Sequence, residues 1–143
     1  MSLEVSVIVP DRVFWKNSVR EIILPTLNGQ MGILKDHIPV LTGLDTGLML
    51  IKTELDKDWL VFVVLGGFAL VNSNKVTILV NEAELASDID IEEAKSSYDS
   101  AKLNLELNSG SDSKKKLESL VLFKKTRTRL QAAQQIKGLS LIV

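Results

Sequence analysis

The chain has 143 residues, 17 basic and 18 acidic side chains, one histidine and no cysteine. That length suits one or two small domains, and the near-zero net charge points to no polyanionic partner. Disulfides, thiolate metal sites and cysteine nucleophiles are excluded together, and one histidine excludes a multi-histidine metal site within one chain.

Met1-Ser2-Leu3-Glu4 lacks the basic start and apolar core of a signal peptide. The longest apolar run, Trp59 to Val71, has 13 residues, short of the roughly 18–20 that span a bilayer. The expectation is a soluble or peripheral protein made in the compartment where it works. Leu3 to Val9 alternates apolar and polar until Pro10-Asp11 breaks the pattern. Val13-Phe14-Trp15 and Val19 to Leu24 follow, ended by Pro25. Further runs are Gly47 to Lys52, Trp59 to Leu65, and Phe68 to Val71 joined to Val76–Val80 through Asn72-Ser73-Asn74-Lys75. Short β-branched runs at regular spacing predict an all-β sandwich or barrel, taken here as a β-sandwich of about ten short strands over residues 1–86. Gly66-Gly67 inside an apolar run predicts a bulge or a close backbone approach.

Gly29 to Leu41 holds two glycines, the histidine and Pro39 between strand-like runs. It reads as a shaped loop presenting Gln30, Lys35, Asp36 and His37, and loops on rigid scaffolds often carry function. Asp36-His37 could be an acid–base pair, the basis of a small hydrolase. Adjacent residues of an extended segment point to opposite faces, however, and no nucleophile is implied by spacing. A contact surface is the plainer reading. Neither glycine pair precedes a Lys-Ser/Thr step or a helix start, so neither is a phosphate cradle.

From about residue 87 the composition turns helical, defining a second domain, 87–143. Asp90 is a candidate N-cap, with Glu93 as the other half of a capping box. Ile91, Ala94, Tyr98, Ala101 and Leu105 then share one face of a helix about 17 residues long. Asn108 to Ser113 forms a turn, and a second helix runs from about Ser113 to Ile136, closed by Lys137-Gly138. Its apolar face is Leu117, Leu120, Val121, Phe123, Leu130, Ala133 and Ile136, interrupted by Lys124 and Arg127. Residues 85–112 carry seven acidic and two basic side chains (net −5), and residues 113–143 one acidic and eight basic (net +7). The predicted hairpin is therefore an electric dipole with a thin apolar face, which fits a movable element resting on another surface. Lys114-Lys115-Lys116 with Lys124, Lys125, Arg127 and Arg129 is either a solvated face or a docking surface. Phe123 is the only nearby aromatic, so an acidic protein surface fits better than single-stranded nucleic acid.

The ordered set Gly29-x-x-Gly32-Ile33-Leu34-x-x-His37-x-Pro39-Val40-Leu41, Gly66-Gly67-Phe68-Ala69 and Val76 to Glu84 resembles the epsilon subunit of the F-type ATP synthase. The tail, with Ser87 to Asp90, Glu93-Ala94 and Arg127-Thr128-Arg129, is most similar to the chloroplast and cyanobacterial form. The resemblance covers essentially the whole chain. It implies a non-catalytic central-stalk subunit without catalytic residues, cofactor or metal, peripheral to the thylakoid membrane on its stromal or cytoplasmic side. The sandwich would bind the gamma subunit and the membrane rotor ring of proton-carrying subunits, with Gln30 and His37 facing the ring. The hairpin would inhibit ATP hydrolysis when extended, through Lys124, Lys125, Arg127 and Arg129 near the catalytic beta and alpha subunits. Lys35 stands where the family often has proline. In members that bind ATP on the hairpin an arginine precedes the alanine of an Ile/Leu-Asp-x-x-Arg-Ala motif. Here Ile89 to Ala94 places Glu93 at that position, which predicts no nucleotide binding. The rival reading is a stand-alone β-sandwich module for a carbohydrate or peptide, for which the aromatic supply is thin.

Overall fold

The computed structural model describes residues 2–55, 58–110 and 112–142, with side chains as far as Gln135. Ser111 and the side chain of Ile136 lie outside the described residues. The chain divides into two compact units that meet between Leu85 and Ala86.

In the first unit seven strands are formed among the described residues: β1 (Leu3–Val9), β2 (Arg12–Thr26), β3 (Gly29–Ile33), β4 (Val40–Leu44), β5 (Gly47–Thr53), β6 (Trp59–Asn72) and β7 (Lys75–Leu85). Sequence reading predicts about ten, because polar or glycine interruptions look like strand ends. They are not. β2 runs through Lys16-Asn17-Ser18, pairing its first half with β1 and its second half with β3 and β5. A register shift between Val19 and Glu21 falls where the partner changes. β6 likewise pairs first with β5 (Gly47↔Val64 to Lys52↔Trp59) and then with β4 (Leu44↔Gly67 to Val40↔Val71). Two long strands thus each change neighbours along their length, and the sheet folds back on itself as a sandwich. β1 closes it by pairing antiparallel with β2 and parallel with β7.

The core follows the period of two expected of half-buried strands. Leu3, Val5, Val7 and Val9 of β1 are buried, as are Ile22 and Leu24, Met49 and Ile51, Phe62 and Val64, and Val76, Ile78 and Val80. Phe62 is the largest fully buried side chain, and Phe14 and Trp15 meet it edge-on at 6.4 and 5.3 Å between centroids. Such aromatic contacts add to the gain from burial alone.

Gly66 and Gly67 bend β6 where its partner changes from β5 to β4. Both have positive φ, 50° and 151°. A Cβ on Gly67 would lie 1.9 Å from the carbonyl oxygen of Leu79 on β7. The pairing with β7 keeps its register through the bend, from Leu65↔Glu82 to Gly67↔Val80. The predicted close approach is present, without a register-shifting bulge.

The second unit opens with a single 3-10 turn, Ala86–Asp88, followed by α1 (Ile91–Leu107) and α2 (Ser113–Ile142). Asp90 caps α1, accepting hydrogen bonds from the N–H groups of Glu92 and Glu93. α2 continues through Gly138, beyond the predicted stop, since a glycine inside a helix costs only about 1 kcal/mol. The face that packs differs from expectation. Leu117, Leu120, Val121 and Leu122 are exposed, whereas Ser119, Thr126 and Ala133 are buried. These are seven residues apart, as are the buried Ala94 and Ala101 of α1 and the half-buried Asn108 that caps its end. Small residues let the helices approach closely. The buried hydroxyls of Ser119 and Thr126 donate to the carbonyls of Lys115 and Leu122 at 2.9 and 3.0 Å, so no polar group is stranded.

Replacing Gly67 by Ala should destabilise the sandwich by roughly 2–4 kcal/mol, because the new Cβ meets backbone rather than a yielding side chain. Urea unfolding read by tryptophan fluorescence checks this. A Gly67→Ala midpoint equal to that of the parent protein would contradict it.

Candidate functional site

The Gly29 to Leu41 stretch is not one loop. Gly29–Ile33 pairs with Ile22–Thr26 as an edge strand. Only residues 34–39 form the connection to β4. Gln30 therefore sits at the start of β3 beside the Leu27-Asn28 turn, and His37 lies beyond its other end. At about 3.3 Å per residue, β3 alone separates the two ends by on the order of 10 Å.

Asp36 and His37 do not form a dyad. Nδ1 of His37 lies 2.7 Å from the carbonyl oxygen of Ile38, which accepts from it when that nitrogen carries a proton. The Asp36 carboxylate accepts instead from Asn74 Nδ2 at 3.3 Å. Both tryptophans are half-buried, Trp15 against Phe62 and Trp59 under the Lys52 ammonium at 5.6 Å. Neither offers an open sugar platform.

The outer face of the β4–β6–β7 sheet supplies a surface that sequence reasoning missed. Leu41 opposes Leu70, and Phe68 opposes Leu79, which in turn lies beside Ile8. Phe68 and Leu70, two residues apart, share one face. Leu41, Phe68, Leu70 and Leu79 are 68, 58, 47 and 48 % exposed. Contiguous exposed apolar side chains of this kind mark protein contacts. The signal was the unbroken apolar run from Trp59 to Val71, too uniform for a strand with one solvated face.

On the hairpin, the four expected docking cations do not stand together. Arg127 is exposed and stacks over Phe123 at 5.6 Å, and Phe123 packs on Tyr98 at 5.5 Å. Lys125 and Arg129 line a groove between the helices with Ser96, Ser97, Ser100 and Asn104, and Lys124 is half-buried. Arg129 bonds the Glu93 carboxylate at 3.1 Å, with its side chain 16 % exposed. Glu93, expected in a capping box, thus turns to Arg129 and to the hydroxyl of Ser97 at 3.0 Å. Those two hydrogen bonds, Arg129 first, hold its carboxyl below the usual carboxylate range. At the far end of the seam Asn108 Nδ2 donates to Ser119 Oγ at 3.1 Å.

A sandwich with an exposed apolar face, continued by a charge-segregated helical hairpin, is the architecture of a docking protein, one that presents surfaces to other chains. The family model for the ATP synthase delta/epsilon chain, beta-sandwich domain, matches residues 2–86. The chloroplastic ATP synthase epsilon chain of Euglena gracilis is 58% identical over 134 residues, covering 94% of this chain and 98% of that one. The chloroplastic epsilon chain of Tetradesmus obliquus is 46% identical over 140 residues, 98% of this chain and 100% of its own. Among solved structures, a chain from the Euglena gracilis mitochondrial ATP synthase, OSCP/F1/c-ring in rotational state 1, superposes with a TM-score of 0.79 over 93% of this chain and 81% of that chain. At 23% identity it shows a shared fold. The chain belongs to the ATP synthase delta/epsilon family and is of the chloroplast epsilon type. Its relatives are named as one subunit, the epsilon chain, of the ATP synthase.

Because the folded-state pKa of Glu93 is depressed, its contribution to hairpin stability is present above the ordinary carboxylate value, near 4.3, and is lost as pH falls through the depressed one. Glu93→Gln should therefore weaken protection of the α1 and α2 amides at pH 7 and do so progressively less as the pH is lowered below the ordinary carboxylate range, so that the effect at pH 3 is smaller than at pH 7. Hydrogen exchange at the two pH values reads this. An equal effect at both would show that the ion pair is not the cause.

Proposed function

We propose that this chain joins the gamma subunit to the membrane rotor ring of a proton-driven ATP synthase and restrains ATP hydrolysis through its hairpin. The observation that carries the reading is the apolar outer face of Ile8, Leu41, Phe68, Leu70 and Leu79. Gamma is its proposed occupant, since a stalk subunit must grip a rotating partner through a stable, largely apolar contact. Gln30 and His37 are the proposed ring contacts, and a contact using both runs along the exposed edge strand β3. The site of action is the thylakoid membrane of a chloroplast, on the stromal side, with attachment through the complex. Among the described residues no helix is long and apolar enough to cross a membrane.

The inhibitory contact is electrostatic. Lys124, Lys125, Arg127 and Arg129 would approach acidic segments of the catalytic beta and alpha subunits once α2 leaves α1. The small-residue seam favours such opening, because it buries little apolar area and leaves Leu117, Leu120 and Val121 outside it. The two arrangements must lie within a few kcal/mol of each other for a signal to shift them. Glu93 occupies the anion-facing side of Arg129. This supports the expectation that the hairpin binds no nucleotide, since phosphate would have to displace a carboxylate.

The test is reconstitution with a matching ATPase depleted of its epsilon chain. Reversing Lys124, Lys125 and Arg127 to glutamate should weaken inhibition on the order of tenfold while leaving gamma binding intact. Arg129→Glu belongs in a separate variant, because it also faces Glu93. Raising salt should relax inhibition of the unmodified protein, screening charges beyond a Debye length of about 8–10 Å. Inhibition indifferent to both changes would point to apolar docking instead.

A further inference from the structure

Two turns distant in sequence are fastened together at one end of the sandwich. The first joins β3 to β4. In it the N–H of His37 donates to the carbonyl of Leu34 at 3.2 Å, and Asp36 takes a φ of 66°. The second is the β6–β7 turn, in which Ser73 and Asn74 have φ of 51° and 63°, as a two-residue type I′ hairpin requires. Between them, the N–H of Asp36 donates to Asn74 Oδ1 at 2.7 Å, and Asn74 Nδ2 donates to Asp36 Oδ1 at 3.3 Å. The carbonyl of Asn74 also accepts from the N–H of Glu4 on β1 at 2.9 Å, so the clamp has its footing in a third strand.

We propose that Asn74 is a positioning residue for rotor docking, holding the β3–β4 loop so that His37 and Ile38 are presented beside Leu41 and Leu70. The inference rests on the docking reading above. Ile38 and Leu34 are 74 and 57 % exposed, so the fold gains little by burying this loop. Hydrogen bonds between exposed groups also contribute little to stability, because water competes for them. Their effect lies in binding. A loop already held in one geometry spares the complex the entropy of ordering it. Two left-handed residues facing each other, Asp36 and Asn74, make the geometry specific, since Asp and Asn adopt that conformation more readily than most.

The experiment measures affinity of the full chain for the ATP synthase complex depleted of its epsilon chain, with thermal unfolding alongside. Asn74→Gly keeps the positive φ available and deletes only the clamp. It should weaken binding about tenfold, the scale of ordering one or two loop side chains on docking, with the unfolding midpoint nearly unchanged. The exchange Asp36→Asn with Asn74→Asp reverses the side-chain bond, leaves an oxygen at position 74 to accept from the backbone N–H of residue 36, and should restore binding to within about threefold of the parent. Leu41→Asp, which leaves the clamp intact, controls for the docking surface. Wild-type binding by Asn74→Gly, together with loss of binding by Leu41→Asp, overturns the positioning role alone. Wild-type binding by Leu41→Asp overturns the docking reading, and this inference with it. Loss of binding and midpoint together in Asn74→Gly, unrestored by the exchange, assigns Asn74 to folding and also overturns it.

Discussion

The sandwich depends on β6 changing partners without breaking its ladder to β7. At Gly66-Gly67 the strand bends while its neighbour on one side switches from β5 to β4, separated by Asp45-Thr46. The bend brings the backbone of Gly67 so near the Leu79 carbonyl that no side chain fits. Much else follows from that contact. It keeps Phe62 and Val64 directed into the core before the bend, and Ala69 and Val71 after it. It also turns Phe68 and Leu70 outward in register with Leu41 and Leu79, so the apolar outer face owes its continuity to the same two glycines.

The two units are stabilised in different ways. The sandwich buries a dense aliphatic and aromatic core, and fully burying each such side chain contributes about 1.5–3 kcal/mol. The hairpin packs alanines, Ser119 and Thr126, and adds the Glu93–Arg129 and Asn108–Ser119 contacts at opposite ends of its seam. Exposed or half-exposed polar pairs contribute little in water. A densely packed sandwich and a thinly packed hairpin suit the separate docking and restraining tasks proposed for them. The hairpin contacts engage a residue, Arg129, that the inhibitory state would use elsewhere.

Much of this was legible in the sequence where the pattern had one cause. The alternation of Leu3 to Val9 reads directly as a half-buried strand, and Asp90 reads as a helix cap. Asn72 to Lys75 reads as a tight turn, and each has its expected form. Strand count was not legible, because Lys16-Asn17-Ser18 and Gly66-Gly67 look like interruptions. Pairing kept in register on one side, with β1 at the first and β7 at the second, carries the backbone through them. The α2 face was misjudged because large apolar residues were counted as the buried ones. The signal lay instead in the seven-residue repeats Ala94-Ala101-Asn108 and Ser119-Thr126-Ala133. Gln30 and His37 read as members of one loop, since five residues with two glycines carry too little pattern to announce an edge strand. The Asp36–Asn74 clamp joins positions 38 residues apart and has no local signature.

The central claim is that platform and arm have separable tasks, binding in residues 1–85 and restraint of hydrolysis in the hairpin. The most direct measurement adds either the full chain or a chain ending at Leu85 to an ATP synthase complex depleted of its epsilon chain, and follows ATP hydrolysis and retention on the complex together. Both forms should be retained, and only the full chain should slow hydrolysis. Equal restraint by the shortened chain, or no restraint by the full one, would contradict the account.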